Sequence, residues 1–188
     1  MRALVTILPE PYFQTIMSLW GDLEERFGFR HMYTTPMPHF TWQLGDDYKT
    51  GYAAVLEETL QSVSPFVVQT DIITWFSADR PIVYLRVVES EELLSFHRLL
   101  WEKLIPWCDN PSMLYSIENW VPHITLSMDE RSWLKLPQVR RFLATKDLRW
   151  EMKADSVSMV YLTADTKAIV EKQFPFGSAS KPGTLAAD

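Results

Sequence analysis

Two short segments of the sequence carry the same pattern of an imidazole followed by a hydroxyl. Pro38-His39-Phe40-Thr41 and Pro122-His123-Ile124-Thr125 each place a threonine two residues after a histidine. Because side chains alternate along a β-strand, we expect the histidine and threonine of each segment to share one face, with Gln43 in the first strand and Ser127 in the second. The opposite faces are apolar, so each strand has one side that can be buried and one that offers polar groups.

This pattern suits acid–base chemistry at a phosphodiester. Imidazole titrates near neutrality, so one histidine can accept a proton while the other donates one. In-line displacement at phosphorus needs a base on the entering side and an acid on the leaving side. The hydroxyls of Thr41 and Thr125 can donate hydrogen bonds to the non-bridging oxygens. The alternative is a structural pair of strand histidines, each partnered by its threonine.

The pattern does not require a metal ion. A tetrahedral zinc site needs three or four protein ligands, and neither motif has an aspartate or a second cysteine at short spacing. We therefore predict neither a metal nor a cofactor. Cys108 is the only cysteine, which excludes an internal disulfide and is typical of a cytoplasmic protein.

Composition limits the class of protein and of partner. The 188 residues are 47% hydrophobic and 22% charged, which excludes a disordered or fibrous chain. The formal net charge of −6 disfavours binding of duplex DNA, which needs a broad positive surface. The apolar run at residues 3–8 is too short for a secretory signal, and no run approaches the roughly 20 apolar residues of a membrane span.

Hydrophobic periodicity and turn residues predict an alternation of strands and helices. The predicted strands are residues 3–8, 39–44, 66–76, 82–88 and 123–128, with two or more strands within 148–176. The predicted helices are residues 11–27, 51–62, 90–105 and 131–144. Two halves thus share the order strand, helix, strand, helix, strand. We predict one bilobal domain at 1–176, with lobes of roughly 1–80 and 81–176 that can exchange strands, and a disordered tail at 177–188.

These residues resemble the 2H phosphoesterase superfamily, which includes bacterial 2′-5′ RNA ligases and cyclic nucleotide phosphodiesterases. The resemblance covers roughly residues 3–163 and is carried by three segments: PHFTWQLGD, TWFSADRPIVYLRV and NWVPHITLSM. It implies an α+β, bilobal fold in which two antiparallel sheets line a central cleft, with helices outside. It also implies that His39 and His123 are the acid–base pair and that Thr41 and Thr125 bind phosphate.

Further residues of the middle segment are candidates for substrate binding. Tyr84 and Arg86 share a face of their strand, where Tyr84 can stack on a base and Arg86 can neutralise phosphate. The alternative is that Tyr84 and Arg86 are exposed at an edge of the sheet and bind no substrate. Phe76 and Arg80 lie near the hairpin tip and are candidates for contact with a nucleobase, with core packing as the alternative for Phe76.

Two residues outside that segment complete the candidates. Trp120, just ahead of the second motif, is a further aromatic candidate for base contact or for the core. His97 is surrounded by apolar residues in a predicted helix, and we interpret it as a partly buried helix residue.

The sequence therefore predicts an enzyme that hydrolyses 2′,3′-cyclic phosphates of nucleotides or RNA ends. The same proton transfers, with a 5′-hydroxyl in place of water, would give 2′-5′ ligation. Ligase-type members of the family often carry arginine where this chain has Val121, which favours a small cyclic nucleotide or a cyclic phosphate end over long RNA. We expect a monomer. The alternatives are a noncatalytic binder of a nucleotide or RNA terminus, and an unrelated protein in which the motifs lie far apart.

Overall fold

The computed structural model describes residues 1–29, 37–76, 82–128, 132–162 and 168–177. Arg80 lies outside the described residues, as do residues 178–188 of the predicted tail. Gly177 is described, and its amide donates to the Leu60 carbonyl at 2.9 Å. That residues 1–176 form one bilobal domain stays a prediction.

Each predicted helix and strand in this part of the chain is confirmed, and the ends of all those with stated bounds lie within one residue of the prediction. The helices are α1 (Tyr12–Phe27), α2 (Tyr52–Gln61), α3 (Glu91–Leu104) and α4 (Ser132–Leu143). The strands are β1 (Arg2–Ile7), β2 (His39–Gly45), β3 (Asp47–Tyr48), β4 (Phe66–Phe76), β5 (Ile82–Val87), β6 (Cys108–Asp109), β7 (His123–Ser127), β8 (Glu151–Ala154), β9 (Ser156–Leu162) and β10 (Ala168–Pro175). The sequence did not predict the two-residue strands β3 and β6.

Helix ends follow from local chemistry. Helix α1 ends at Gly28, whose φ of 74° lies in the left-handed region that glycine adopts without strain. Helix α3 begins after Ser90, whose hydroxyl oxygen accepts a hydrogen bond from the Leu93 amide at 3.1 Å. Glu91 and Glu92 then lie in its first turn, where negative charge is favourable.

The strands form one curled antiparallel sheet of eight strands in the order β10-β9-β1-β2-β7-β5-β4-β8, and β3 pairs with β6. Its two halves meet at β2 and β7, which pair at Phe40 and Ile124. Each half takes strands from both halves of the sequence, because β9 pairs with β1 and β4 pairs with β5. The predicted α+β class is confirmed, and the two predicted sheets are the halves of this continuous one.

One face of the sheet is covered by helices. The main apolar cluster joins Leu4 and Leu85 of the strands to Leu23 of α1, Leu56 of α2 and Leu100 of α3. The opposite face of β1, β9 and β10 holds a smaller cluster that includes Val5 and Val160. No helix in the described part of the chain is long and apolar enough to cross a membrane.

His97 in α3 is more deeply buried than the sequence predicts, at 2% exposed. Its Nε2 lies 3.1 Å from the Tyr115 carbonyl oxygen, and its ring stacks on Trp120 with 3.9 Å between centroids. Burial lowers the pKa of His97 to about 4, although hydrogen bonding to the main chain of Tyr115 and Trp42 offsets part of this effect.

We expect the free energy of unfolding to fall as the pH drops from about 6.5 to about 4. The unfolded chain takes up a proton at His97 in this range, whereas the folded chain, with a pKa of about 4, does not. The stabilisation is fully present above the pKa that His97 has in the unfolded chain. Because the pKa values of His97 in the unfolded and folded chain differ by about 2.5, the stability lost at low pH is at most about 3 kcal/mol.

Urea unfolding between pH 4 and pH 7 measures this dependence. His97→Gln removes the titration and keeps a donor for the Tyr115 carbonyl, so it should flatten the pH dependence. An equally steep dependence in the variant would assign the effect to other groups.

Candidate active site

Strand β2 places His39 and Thr41 on the face of the sheet opposite the helices. In the register of β1 and β2, Ile7 pairs with His39 and Val5 pairs with Thr41. Directly paired residues lie on the same face. Both motif side chains therefore lie on the side of Val5, as the alternation predicts, while Phe40 packs in the main core.

The prediction that Gln43 shares this face is wrong. The register shifts between Leu4 and Val5, so that β2 has one more residue, Trp42, than its partner strand. A β-bulge of this kind reverses the alternation beyond it. Gln43 pairs with Leu4 on the core side, is fully buried and accepts a hydrogen bond from the Tyr48 hydroxyl at 2.9 Å.

Strand β7 repeats this arrangement. Its His123 and Thr125 pair with β5 on the side of Tyr84, and the register then shifts so that Ser127 pairs with Val83. Val83 belongs to the main core, and Ser127 is buried at 1% exposed. The prediction that Ser127 joins the polar face is therefore wrong for the same physical reason.

The two motifs are neighbours in the fold. Strands β2 and β7 pair at the apolar residue that separates histidine from threonine in each motif. In an antiparallel pair this register turns His39 toward Thr125 and Thr41 toward His123. All four side chains thus lie around the Phe40–Ile124 pair, on the face of the sheet opposite the main core.

Main-chain carbonyls fix both imidazoles in the same tautomer. The Nδ1 atom of His39 lies 2.7 Å from the Met37 carbonyl oxygen, and Nδ1 of His123 lies 2.7 Å from that of Val121. A carbonyl oxygen only accepts, so Nδ1 carries the proton and donates it. In the neutral ring this leaves Nε2 able to accept a proton, and in the charged ring Nε2 can donate one.

Burial lowers the pKa of both histidines. For His39 desolvation is the largest cause, the Met37 carbonyl opposes it, and positive charge on His123 lowers the pKa further. For His123 desolvation again dominates, opposed by the Val121 carbonyl. Charge on His123 therefore disfavours a proton on His39.

Phe76 and Tyr84 form an aromatic corner around His123. Their rings stack with centroids 4.2 Å apart, and they contact the His123 ring at 5.1 Å and 5.3 Å. These rings shield part of the imidazole from water. Tyr84 is only 7% exposed and has one ring face covered by Phe76, whereas Phe76 is partly exposed. Contact of either ring with a base stays a prediction.

Arg86 lies beside His123 in the strand register, but its guanidinium is bound by Asp71. Its Nε donates to Asp71 Oδ1 at 2.9 Å and a second nitrogen donates to Oδ2. This pairing lowers the pKa of Asp71 and raises the pKa of Arg86. A phosphate at Arg86 would have to share the guanidinium with this carboxylate, which the sequence did not indicate.

Two indoles hold the main chain of the motifs, and sequence reasoning missed this role. Trp120 Nε1 donates to the Thr41 carbonyl at 2.8 Å, and Trp20 Nε1 donates to the Thr125 carbonyl at 3.3 Å. Trp120 is buried and stacks on Trp42, so its indole N–H and ring are occupied within the protein. Both donors come from elements distant in sequence, so no local signal could have identified them.

Within the described ranges, no three His, Cys, Asp or Glu residues are grouped so that they could hold a metal ion.

Comparison with solved structures defines the class of this fold. TT0787 of Thermus thermophilus matches with a TM-score of 0.66 and 13% identity over 95% of this chain and 99% of that one. E. coli LigT complexed with NADP+ matches with a TM-score of 0.60 and 12% identity, over 94% of this chain and 97% of that one. A structure described as a phosphoesterase matches with a TM-score of 0.58 and 14% identity, over 94% of this chain and 98% of that one. The fold is that of the 2H phosphoesterases.

The family follows from the sequence itself. The model of the 2′-5′ RNA ligase superfamily matches residues 9–166, and the chain belongs to this superfamily. The resemblance seen in the two motifs is thereby confirmed. No curated protein sequence matches the chain significantly.

We expect Phe76→Ala to raise the pKa of His123 toward its ordinary value. Removing the ring admits water to the imidazole, and desolvation is the main cause of the lowered pKa. An NMR titration of the histidine Cε1 protons measures the shift. Tyr161→Ala, at an exposed position on β9, is the matched control and should leave the His123 titration unchanged. An unaltered His123 pKa in Phe76→Ala would contradict this account.

Proposed function

We propose that this protein hydrolyses 2′,3′-cyclic phosphates of nucleotides or of RNA ends, with His39 and His123 as the acid–base pair. The observation that carries the proposal is the meeting of the two motifs about the β2–β7 pair, with both Nδ1 atoms donating to carbonyls. The superfamily is one of phosphoesterases and RNA ligases, which supports chemistry at a phosphodiester. LigT, which shares the fold, was solved with NADP+, which supports a nucleotide as the ligand class.

The proposed reaction uses the two imidazoles in opposite protonation states. Thr41 and Thr125 donate hydrogen bonds to the non-bridging oxygens and hold phosphorus between the rings. The neutral histidine accepts a proton from water through Nε2 as the water oxygen bonds to phosphorus. The bond from phosphorus to O3′ breaks, and the charged histidine donates its Nε2 proton to O3′. The product is a 2′-phosphate with a free 3′-hydroxyl.

The same site can accept a different nucleophile. A 5′-hydroxyl in place of water would give a 2′-5′ phosphodiester, with the same proton transfers. The shared tautomer allows either ring to be the base, so the orientation of the bound cyclic phosphate sets the roles. The proposal includes a cytoplasmic monomer that uses no metal and no cofactor for these steps.

Replacing either histidine should abolish most of the turnover. We expect His39→Ala and His123→Ala each to lower kcat by about 10²–10⁴-fold, the range for loss of a positioned acid or base. The assay is hydrolysis of 2′,3′-cyclic AMP in EDTA, with the product identified by chromatography. Tyr161→Phe is the control for the substitutions, and circular dichroism confirms that the variants fold.

The possible results of this assay separate the candidate functions. Unchanged rates in either alanine variant would remove that histidine from catalysis. Binding of the nucleotide by the unmodified protein without any product would favour the noncatalytic binder. Activity that disappears in EDTA and returns with a divalent cation would overturn the metal-free mechanism.

The pH dependence should be bell-shaped and displaced to the acid side. Activity needs one proton on the pair, and burial lowers the pKa of both rings below the ordinary value of 6.5. The singly protonated state therefore occurs at lower pH than in a pair of exposed histidines. We expect kcat/KM, which reports the free enzyme, to have its maximum below about pH 6.5. A maximum above about pH 7 would be inconsistent with this pair as the acid and base.

A further inference from the structure

Four neighbouring strands of the sheet contain only two residues with a fixed charge. Among the residues of β2, β4, β5 and β7, all of which the structure describes, Arg86 is the one cation and Asp71 is the one carboxylate. Arg86 lies on the face of the motifs, because it pairs with His123. These four strands therefore have no net charge when both motif imidazoles are neutral.

A β-bulge brings the carboxylate of Asp71 to Arg86. The register of β4 and β5 shifts between Thr70 and Ile73. Two residues of β4, Asp71 and Ile72, consequently lie opposite Arg86 alone. The contact between the two charges is therefore set by the main chain of the sheet.

Both carboxylate oxygens of Asp71 accept hydrogen bonds. Arg86 Nε donates to Oδ1 at 2.9 Å, and a second guanidinium nitrogen donates to Oδ2. The Ile72 amide also donates to Oδ1, at 2.6 Å. The hydrogen bonds from Arg86, followed by the one from Ile72, lower the pKa of Asp71, so its charge is present throughout the working pH range. The positive charge of Arg86 is thus matched at hydrogen-bond distance.

The proposed reaction changes the charge of the ligand. A cyclic phosphodiester has one negative charge, which the single imidazolium of the active pair balances. When water opens the ring, one water proton goes to the base and the acid gives its proton to O3′, so the other water proton stays on the phosphate. This proton has a pKa of about 6 in a phosphate monoester. The product is therefore a dianion at neutral pH, with one charge more than the substrate.

We propose that Asp71 is a specificity-determining residue, which neutralises Arg86 and so makes the site favour the singly charged cyclic phosphate over its doubly charged product. This inference rests on the proposed function, because it places the phosphate between the two motifs. An unpaired guanidinium beside His123 would attract the product more strongly than the substrate. By cancelling that charge, the carboxylate favours release of the product.

Asp71 acts through its charge and not through contact with the ligand. Neighbouring strands lie about 4.8 Å apart, so Asp71, two strands from β7, lies about 10 Å from His123. Over this distance water and salt reduce the effect of one charge on the Kd of a monoanion to about two- to threefold. Coulomb energy is proportional to charge, so the effect on a dianion is about the square of this, or about four- to ninefold.

The test uses two adenosine ligands that differ in charge. Adenosine 2′-monophosphate is a dianion at about pH 7.5, whereas adenosine 2′-methylphosphonate has a methyl group in place of one phosphate oxygen and is a monoanion. Calorimetry measures the Kd of each ligand at about 0.1 M ionic strength. We expect Asp71→Asn, which keeps an oxygen acceptor, to lower the Kd of the dianion by about four- to ninefold and that of the monoanion by about two- to threefold.

Two further variants and a control complete the test. Arg86→Gln should raise the two Kd values by the same factors. The double variant Asp71→Asn/Arg86→Gln removes both charges and should bind each ligand within about twofold of the unmodified protein. Asp22→Asn is the matched control and should leave both Kd values unchanged, because Asp22 pairs with Lys146 at 3.1 Å on helix α1. Melting temperatures identify any variant whose fold has changed.

Three results would overturn the inference. Equal factors for the two ligands in Asp71→Asn would assign the effect to shape and not to charge. A Kd of the dianion that falls by less than about twofold in this variant would show that the carboxylate does not set the affinity. A double variant that binds the dianion more than about twofold more weakly than the unmodified protein would show that Arg86 binds phosphate in spite of Asp71.

Because neither Kd depends on turnover, this test is separate from that of the proposed function. If both ligands bind with the expected dependence on charge but cyclic AMP is not hydrolysed, the proposed function fails and the role of Asp71 stands. If hydrolysis depends on both histidines but Asp71→Asn does not distinguish the ligands, the function stands and the role of Asp71 falls. If neither ligand binds to any of these proteins, the role of Asp71 is overturned, and hydrolysis alone decides the function.

Discussion

The candidate site depends on the pairing of β2 with β7 at Phe40 and Ile124. Both residues are almost fully buried, at 1% and 0% exposed, so the helices cover this pair from below. Antiparallel geometry about the pair turns each histidine toward the threonine of the other strand. One buried apolar contact therefore determines the spacing of four polar side chains on the opposite face. A shift of either strand by one residue would turn its own histidine and threonine into the core.

Around this contact, buried indole N–H groups donate hydrogen bonds to the carbonyls of Thr41 and Thr125. The Nδ1 atom of each motif imidazole in turn donates to a main-chain carbonyl. These hydrogen bonds leave the Nε2 atoms and the threonine hydroxyls as the groups that can act on a ligand. The aromatic corner of Phe76 and Tyr84 shields His123 from water. The lowered pKa of His123 follows from that shielding, because an apolar surrounding disfavours the charged ring.

The elements and the two motifs could be predicted because their signals are local: apolar periodicity, the glycine after α1, the serine before α3 and the repeated Pro-His-x-Thr. The face of the sheet on which Gln43 and Ser127 lie could not be predicted, because a β-bulge depends on the pairing with the partner strand. The Arg86–Asp71 pair likewise depends on the β4–β5 register. Trp20 and Trp120 reach the motif carbonyls through tertiary packing, for which the sequence has no local mark.

The exchange of strands between the two halves has a consequence for how the chain folds. Strand β1 is the first element of the chain, yet its neighbour opposite β2 is β9, which begins at Ser156. The half-sheet that carries the first motif is therefore incomplete until β9 has been synthesised. Such pairing over a long sequence separation gives a high contact order, which slows folding. A nascent chain stalled before β9 would have one edge of β1 unpaired, and this half-sheet would be completed only after synthesis of β9 and β10.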